Sequence, residues 1–185
     1  MSKRAIIIHG WDGHPEEGWF PWLKLELEAR GYEVTVPTMP ETNHPKIEAW
    51  VSFLTEMVGT PDENTILIGH SIGCQTIVRY LETLSANVKI DRAIFVAGWF
   101  TLTLESEAEE IIAKPWLETP IDFVKVKSHT NNFFALFSGN DPVVPAENQQ
   151  LFAEKLGAKI KVESNKGHFS GGDGVTTLPT VLSFL

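Results

Sequence analysis

One cysteine, Cys74, is present in 185 residues, so no internal disulfide can form. With no CxxC spacing and no Cys/His cluster, zinc is not indicated either. Basic residues are in short supply: Lys+Arg number 15 against 24 Asp+Glu, a formal charge of −9. Such a balance repels nucleic-acid phosphates and anionic lipid, which excludes nucleic acid as a partner. Long apolar runs are missing as well. The only early one, Ala5 to Ile8, is stopped by His9, far short of a signal-peptide core or a membrane span. No targeting segment, repeat or linker is read, and a cytoplasmic, cofactor-free and metal-free protein of one domain over 1–185 is expected.

What is present alternates. Short β-branched and aromatic runs, Arg4 to His9, Glu33 to Val36, Thr65 to Ile68, Arg92 to Ala97, Asn132 to Ser138 and Lys159 to Glu163, predict six strands. Several are nearly continuous apolar runs, as in strands covered on both faces. Between them Ile47, Trp50, Val51, Leu54 and Val58 fall on one helical stripe, and Ile77, Tyr80, Leu81 and Leu84 on another. Weaker helical patterns surround Trp19, Leu23 and Leu27, Leu151 to Leu156, and Val181 to Leu185, the last with Pro179 in its first turn. The alternation predicts an α/β fold with a parallel sheet. Residues 98–131 break the rhythm. They hold an acidic helical segment, Glu105 to Ala113, followed by Pro115, Trp116 and Pro120, and are read as a lid or a decorated crossover.

The chemistry lies in Gly69-His70-Ser71-Ile72-Gly73, which follows an apolar strand and opens a helix. This is G-x-S-x-G in the context that gives it meaning. A serine on a tight strand-to-helix turn presents its hydroxyl at the sheet edge, and the flanking glycines avoid backbone collisions. The helix start favours developing negative charge beside that hydroxyl. A serine needs a base, and the base needs a carboxylate to orient it. Downstream, Ser138-Gly-Asn-Asp-Pro presents Asp141 after one strand, and Lys166-Gly-His-Phe presents His168 after the next. The order Ser71, Asp141, His168 is that of α/β-hydrolases.

Other residues compete for these roles. His70, beside Ser71, is expected to be packed or hydrogen-bonded, while His14, His44 and His129 are expected to be solvated. Asp173, in Ser170-Gly-Gly-Asp-Gly174, is a substitute for Asp141. His9-Gly10-Trp11 ends the first strand where an oxyanion donor is needed, so the backbone N–H groups of Trp11 and Ile72 are read as the oxyanion hole. Cys74 is read as a packed thiol. Trp99, Phe100 and Trp116 are candidates for an apolar substrate pocket, with Trp11 beside them.

Together, HGW, GWFPWLKLELEARG, PTMP, NTILIGHSIG, Arg79-Tyr80, KPW, SGNDPVVP and KGHF resemble the small serine hydrolases of the retinoblastoma-binding protein nine and YdeN type. The likeness runs from His9 to about Phe169. It implies a single-domain three-layer α/β-hydrolase fold, a six-stranded parallel sheet of order 2-1-3-4-5-6, and a Ser71, Asp141, His168 triad. The chain departs from the family where a glycine cluster often follows the first strand; here Trp11-Asp12-Gly13-His14 stands instead. No L-x-C-x-E motif occurs, so a tumour-suppressor partner is not implied. The expected activity is hydrolysis of a small carboxylic ester or amide through an acyl-enzyme. A binding scaffold with a vestigial triad, or an acyltransferase on the same fold, are the alternatives, and no protein partner is read.

Overall fold

The computed structural model describes residues 2–185. Six strands, β1 (Lys3–Ile8), β2 (Tyr32–Thr35), β3 (Thr65–His70), β4 (Arg92–Val96), β5 (Phe133–Ser138) and β6 (Lys159–Glu163), form one parallel sheet of order β2-β1-β3-β4-β5-β6. The expected order is therefore observed, with strand limits within two residues of those expected. Burial follows position in the sheet. Every residue of central β3 is buried, whereas the edge strands β2 and β6 are half-exposed along their length. Continuous apolar runs thus mark the middle of the sheet, where helices cover both faces.

The helices are α1 (Phe20–Glu28), α2 (Ile47–Val58), α3 (Ile72–Thr83), α4 (Glu107–Glu118), α5 (Phe123–Lys127), α6 (Glu147–Leu156) and α7 (Pro179–Leu182). The stripe on α2 buries Trp50, Leu54 and Val58, each such side chain contributing roughly 1.5–3 kcal/mol. Pro179 sits at the start of α7, where its missing N–H is harmless.

Two expectations in this region are corrected. The helical segment of the excursion does not stop at Ala113; α4 continues through Pro115 to Glu118. Proline removes one ladder bond, to the carbonyl of Ile111 four residues back, and Ile111 lies on an exposed stretch where water can take that bond. A capping box holds the other end of α4: the Ser106 hydroxyl accepts from the Glu109 N–H at 3.2 Å, while the Glu109 carboxylate accepts from the Ser106 N–H at 3.2 Å. His129 is not solvated but fully buried, with Nδ1 2.8 Å from the Val88 carbonyl.

The strand order reverses between β1 and β3. The chain leaves β1 towards β2 on one side and β3 towards β4 on the other, so a crevice opens outside their carboxyl ends. No helix among the described residues is long and apolar enough to cross a membrane.

Candidate active site

Ser71 stands in that crevice, between β3 and α3, with φ 52° and ψ −119°. This conformation is costly for a residue with a side chain, and its surroundings enforce it. Its N–H donates to the Val96 carbonyl at 2.9 Å and its carbonyl accepts from the Cys74 N–H at 3.0 Å. The two flanking glycines are sterically required. A Cβ on Gly69 would lie 2.7 Å from the Cys74 nitrogen, and one on Gly73 would lie 2.4 Å from the Ile8 carbonyl oxygen. The second collision is with β1 itself, so Gly73 lets α3 start directly against the strand that leads into Trp11.

Asp141 and His168 meet. His168 Nδ1 donates to Asp141 Oδ2 at 2.9 Å, with the carboxylate 3 % exposed and the imidazole 17 %. The other carboxylate oxygen accepts the N–H groups of Val143 at 2.8 Å and Val144 at 3.0 Å. Both of its faces are therefore committed, and the imidazole tautomer follows: with the proton on Nδ1, Nε2 is the basic nitrogen. No hydrogen bond joins the Ser71 hydroxyl to His168, a link that is often long until substrate arrives. The two loops are nonetheless adjacent. The ring of His70, the residue before Ser71, lies 5.0 Å from that of His168.

His70 is neither solvated nor a base. Its Nε2–H donates to the His168 carbonyl at 2.7 Å. Burial, and secondarily the neighbouring His168, pushes its pKa down to about 3. A folded-state value below the unfolded one means that the unfolded chain takes up the proton first as pH falls. This contribution to stability is complete above about pH 6.5 and is lost as pH drops towards 3, and it amounts to a few kcal/mol at most. Urea midpoints of the wild type should therefore fall more steeply between pH 7 and pH 4 than those of His70→Leu; parallel curves would contradict the assignment.

His9 is fully buried and structural. Its Nε2 accepts the Met39 N–H at 3.0 Å and its Nδ1–H donates to the Gly10 carbonyl at 2.8 Å, which ties the turn carrying Trp11 to the PTMP segment. In place of a glycine cluster, Asp12 takes φ 53°, and its N–H donates to the Thr42 carbonyl at 2.9 Å. The N–H groups of Trp11 and Ile72 have no acceptor among the described residues, and both residues line the same cleft as Ser71.

That cleft has a volume of about 220 Å³. Besides Trp11, Ser71 and Ile72 it is lined by Trp99, Leu102, Leu104 and Val143, and by Glu105 and Glu109. Trp99 is where the sequence suggested; Phe100 and Trp116 are not. They line a separate depression of about 520 Å³ with Gln75, Phe123 and Lys155. Phe100 turns onto Phe152 at 4.5 Å and Phe123 at 5.4 Å between ring centres. The Trp116 indole N–H donates to the Pro45 carbonyl at 2.9 Å, and its ring meets Trp50 edge-on.

Two buried amides that the sequence reading passed over fix this arrangement. The Gln75 side-chain amide donates to the Trp99 carbonyl at 2.8 Å. The Asn148 side-chain oxygen accepts from the N–H groups of Phe100 at 2.6 Å and Thr101 at 3.1 Å. Asp173, the alternative to Asp141, takes a different place. It does not touch the imidazole of His168 but binds backbone, accepting the N–H groups of His168 and Ser170 at 3.0 Å each. The spacing Ser170-x-x-Asp173 carried that signal, as a reciprocal side-chain-to-backbone pairing.

A parallel sheet in this order, with a strained serine turn after β3 and acid and histidine loops after β5 and β6, is an α/β-hydrolase. The chain belongs to the serine hydrolase family, whose model matches residues 5–185. It is 31% identical over 189 residues to YdeN of Bacillus subtilis (strain 168), a protein named as a hydrolase, covering 100% of this chain and 95% of that one. To the serine hydrolase RBBP9 of Rattus norvegicus it is 28% identical over 185 residues, covering 98% and 95% respectively. The crystal structure of the Bacillus subtilis ydeN product superposes with a TM-score of 0.89 at 29% identity, over 99% of this chain and 98% of that one. The chain is therefore a serine hydrolase.

Proposed function

We propose that this enzyme hydrolyses a small carboxylic ester or amide through an acyl-enzyme on Ser71. The observation that carries the reading is the 2.9 Å bond from His168 Nδ1 to Asp141, which leaves the basic nitrogen of His168 free on a loop adjoining the Ser71 turn. Ser71 Oγ attacks the carbonyl carbon as His168 Nε2 takes its proton. The tetrahedral oxyanion is held by the N–H groups of Trp11 and Ile72. His168 then protonates the leaving group as its bond to the carbonyl breaks. Water, deprotonated by the same nitrogen, attacks the acyl-enzyme and releases the acid, returning the proton to Ser71. Fixed N–H donors of this kind are worth on the order of 10²–10³ in turnover each.

The test is a fluorophosphonate probe followed by peptide mapping. A single adduct on Ser71 is expected; an adduct elsewhere, or none on folded protein, would overturn the reading.

Residues 98–131 serve in this proposal as the cover of the substrate side, since they contribute Trp99, Leu102 and Leu104 to the cleft wall. A cleft of about 220 Å³ suits short acyl chains. On a nitrophenyl ester panel from acetyl to decanoyl, activity should peak at the short end. Trp99→Ala should shift the optimum to longer chains by enlarging the wall beside Ser71. An unchanged chain-length profile would remove Trp99 from the pocket, whereas Phe100→Ala, which alters the other depression, should leave the profile as it was.

A further inference from the structure

The loop that carries His168 is an improbable one for its backbone. Between β6 and α7 the chain takes positive φ at Asn165 (57°), Gly167 (54°), Phe169 (56°) and Gly174 (75°), two of them non-glycine residues. Such a path persists only where the surroundings over-determine it. Here the loop backbone is held by side chains, most of them from elsewhere in the fold and one, Asp173, from the loop itself. The Lys166 N–H donates to the Ser138 hydroxyl at 3.1 Å, and the Gly167 N–H to the Asn140 side-chain oxygen at 3.1 Å. The Trp19 indole donates to the Phe169 carbonyl at 3.0 Å. Two more bonds fall on His168 itself: its N–H donates to Asp173 of the same loop at 3.0 Å, and its carbonyl accepts from His70 at 2.7 Å.

The bond from His70 differs from the rest in what it connects. His70 precedes Ser71 in the chain, so a bond from its imidazole to the His168 carbonyl sets the distance between nucleophile and base without passing through Asp141. The same imidazole lies against Gly10, where a Cβ would stand 3.0 Å from its Nδ1 and 3.4 Å from the Ser71 Cβ. It therefore touches the turns carrying the nucleophile, the base and the Trp11 N–H. Being buried and uncharged, it keeps a proton on Nε2 for the His168 carbonyl. Asp173 works from the solvent side. Its carboxylate accepts from the Ser170 hydroxyl and N–H as well as from His168, and it fills the space where a Gly167 Cβ would go, 2.1 Å from Oδ1. Burial by itself would raise this carboxyl, but the bonds from the Ser170 hydroxyl and from the N–H groups of Ser170 and His168 outweigh it and hold the group ionised.

We infer that His70 and Asp173 are positioning residues, a two-sided clamp on the backbone of His168 that holds its imidazole in reach of Ser71. The inference rests on the acyl-enzyme reading above. Neither residue lines the cleft beside Ser71, so loosening the clamp should lower kcat and leave KM in place. A displacement of about 1 Å in a catalytic group can cost on the order of 10²-fold.

The experiment compares His70→Leu, His70→Gln and Asp173→Ala with the wild type on a short nitrophenyl ester. Alongside kcat and KM, it measures the rate of fluorophosphonate labelling and thermal melting. His70→Leu removes the donor and is expected to lower kcat and the labelling rate by about 10–100-fold, with KM within about twofold. His70→Gln can place an amide N–H near the lost Nε2–H and should recover most of the rate. Asp173→Ala, at an exposed position outside the core, should show the same kcat loss with KM held. Wild-type kcat in folded His70→Leu or in Asp173→Ala, equal impairment of the Leu and Gln variants, or a loss confined to KM would overturn the clamp. Should His70→Leu fail to fold, Asp173→Ala decides by itself. A wild type that takes up no probe fails the acyl-enzyme reading; a wild type and variants that are labelled at one rate fail the clamp alone.

Discussion

Ser71→Ala is expected to abolish fluorophosphonate labelling and to reduce ester turnover by on the order of 10⁶, to the residual rate that binding and the oxyanion donors can sustain. The loss should be chemical and not structural. Ser71 makes its local bonds through its backbone, the N–H to Val96 and the carbonyl from Cys74, and alanine keeps both. The φ of 52° is no worse for alanine than for serine, because each carries one Cβ and the strain is in the backbone. Melting within a few degrees of the wild type is therefore expected beside complete loss of labelling. Intact-mass spectrometry after probe treatment gives one answer, and nitrophenyl acetate turnover the other. A labelled Ser71→Ala protein, or one that retains a tenth of the wild-type rate, would show that the reactive group lies elsewhere.

The parts of this molecule that were legible in the sequence are those whose residue pattern is imposed by repetitive burial. Ile66, Leu67 and Ile68 read as a strand because β3 has no exposed face, and Ile47 to Val58 read as a helix because one side alone is covered. Ser71, Asp141 and His168 were legible for a related reason: each follows a strand, so a parallel sheet delivers all three to one edge. The pocket was less legible, because the direction of a side chain on an irregular segment is decided by its neighbours in space. Trp99 and Phe100 are consecutive, yet Trp99 lines the cleft beside Ser71 and Phe100 the separate depression. Gln75 and Asn148 then fix which of the two faces Ser71. Gly98 contributes by letting Phe152 approach, a Cβ there coming within 2.6 Å of the ring, and Phe100 packs on that same ring. Trp116 sits on α4, which runs on past Pro115, and its indole bonds the Pro45 carbonyl and meets Trp50. The loop setting of His129 suggests solvation, yet its partner is the Val88 carbonyl, 41 residues away in sequence. Nothing local in the sequence announces such a bond.

Asp141→Asn should lower kcat by on the order of 10⁴ while leaving the fold intact, and the direction of the effect follows from what each carboxylate oxygen does. One oxygen accepts the N–H groups of Val143 and Val144, at 2.8 and 3.0 Å. An amide nitrogen cannot replace it there, so the amide oxygen of asparagine must take that side. The amide NH₂ is then forced to face His168 Nδ1. Two donors cannot share the contact, so the imidazole gives up its Nδ1 proton and holds the remaining one on Nε2. That nitrogen faces the reaction and now has no lone pair with which to take the proton of Ser71 Oγ. Asp173 does not stand in, because its carboxylate is held on the N–H groups of His168 and Ser170 and on the Ser170 hydroxyl, and only Asp141 bonds the imidazole. Steady-state kinetics on a short nitrophenyl ester, with melting as the control, checks the outcome. A folded Asp141→Asn enzyme within about tenfold of the wild-type kcat would mean that the tautomer of His168 is set by some other group, and with it would go the reason for Asp141 to stand at the end of β5.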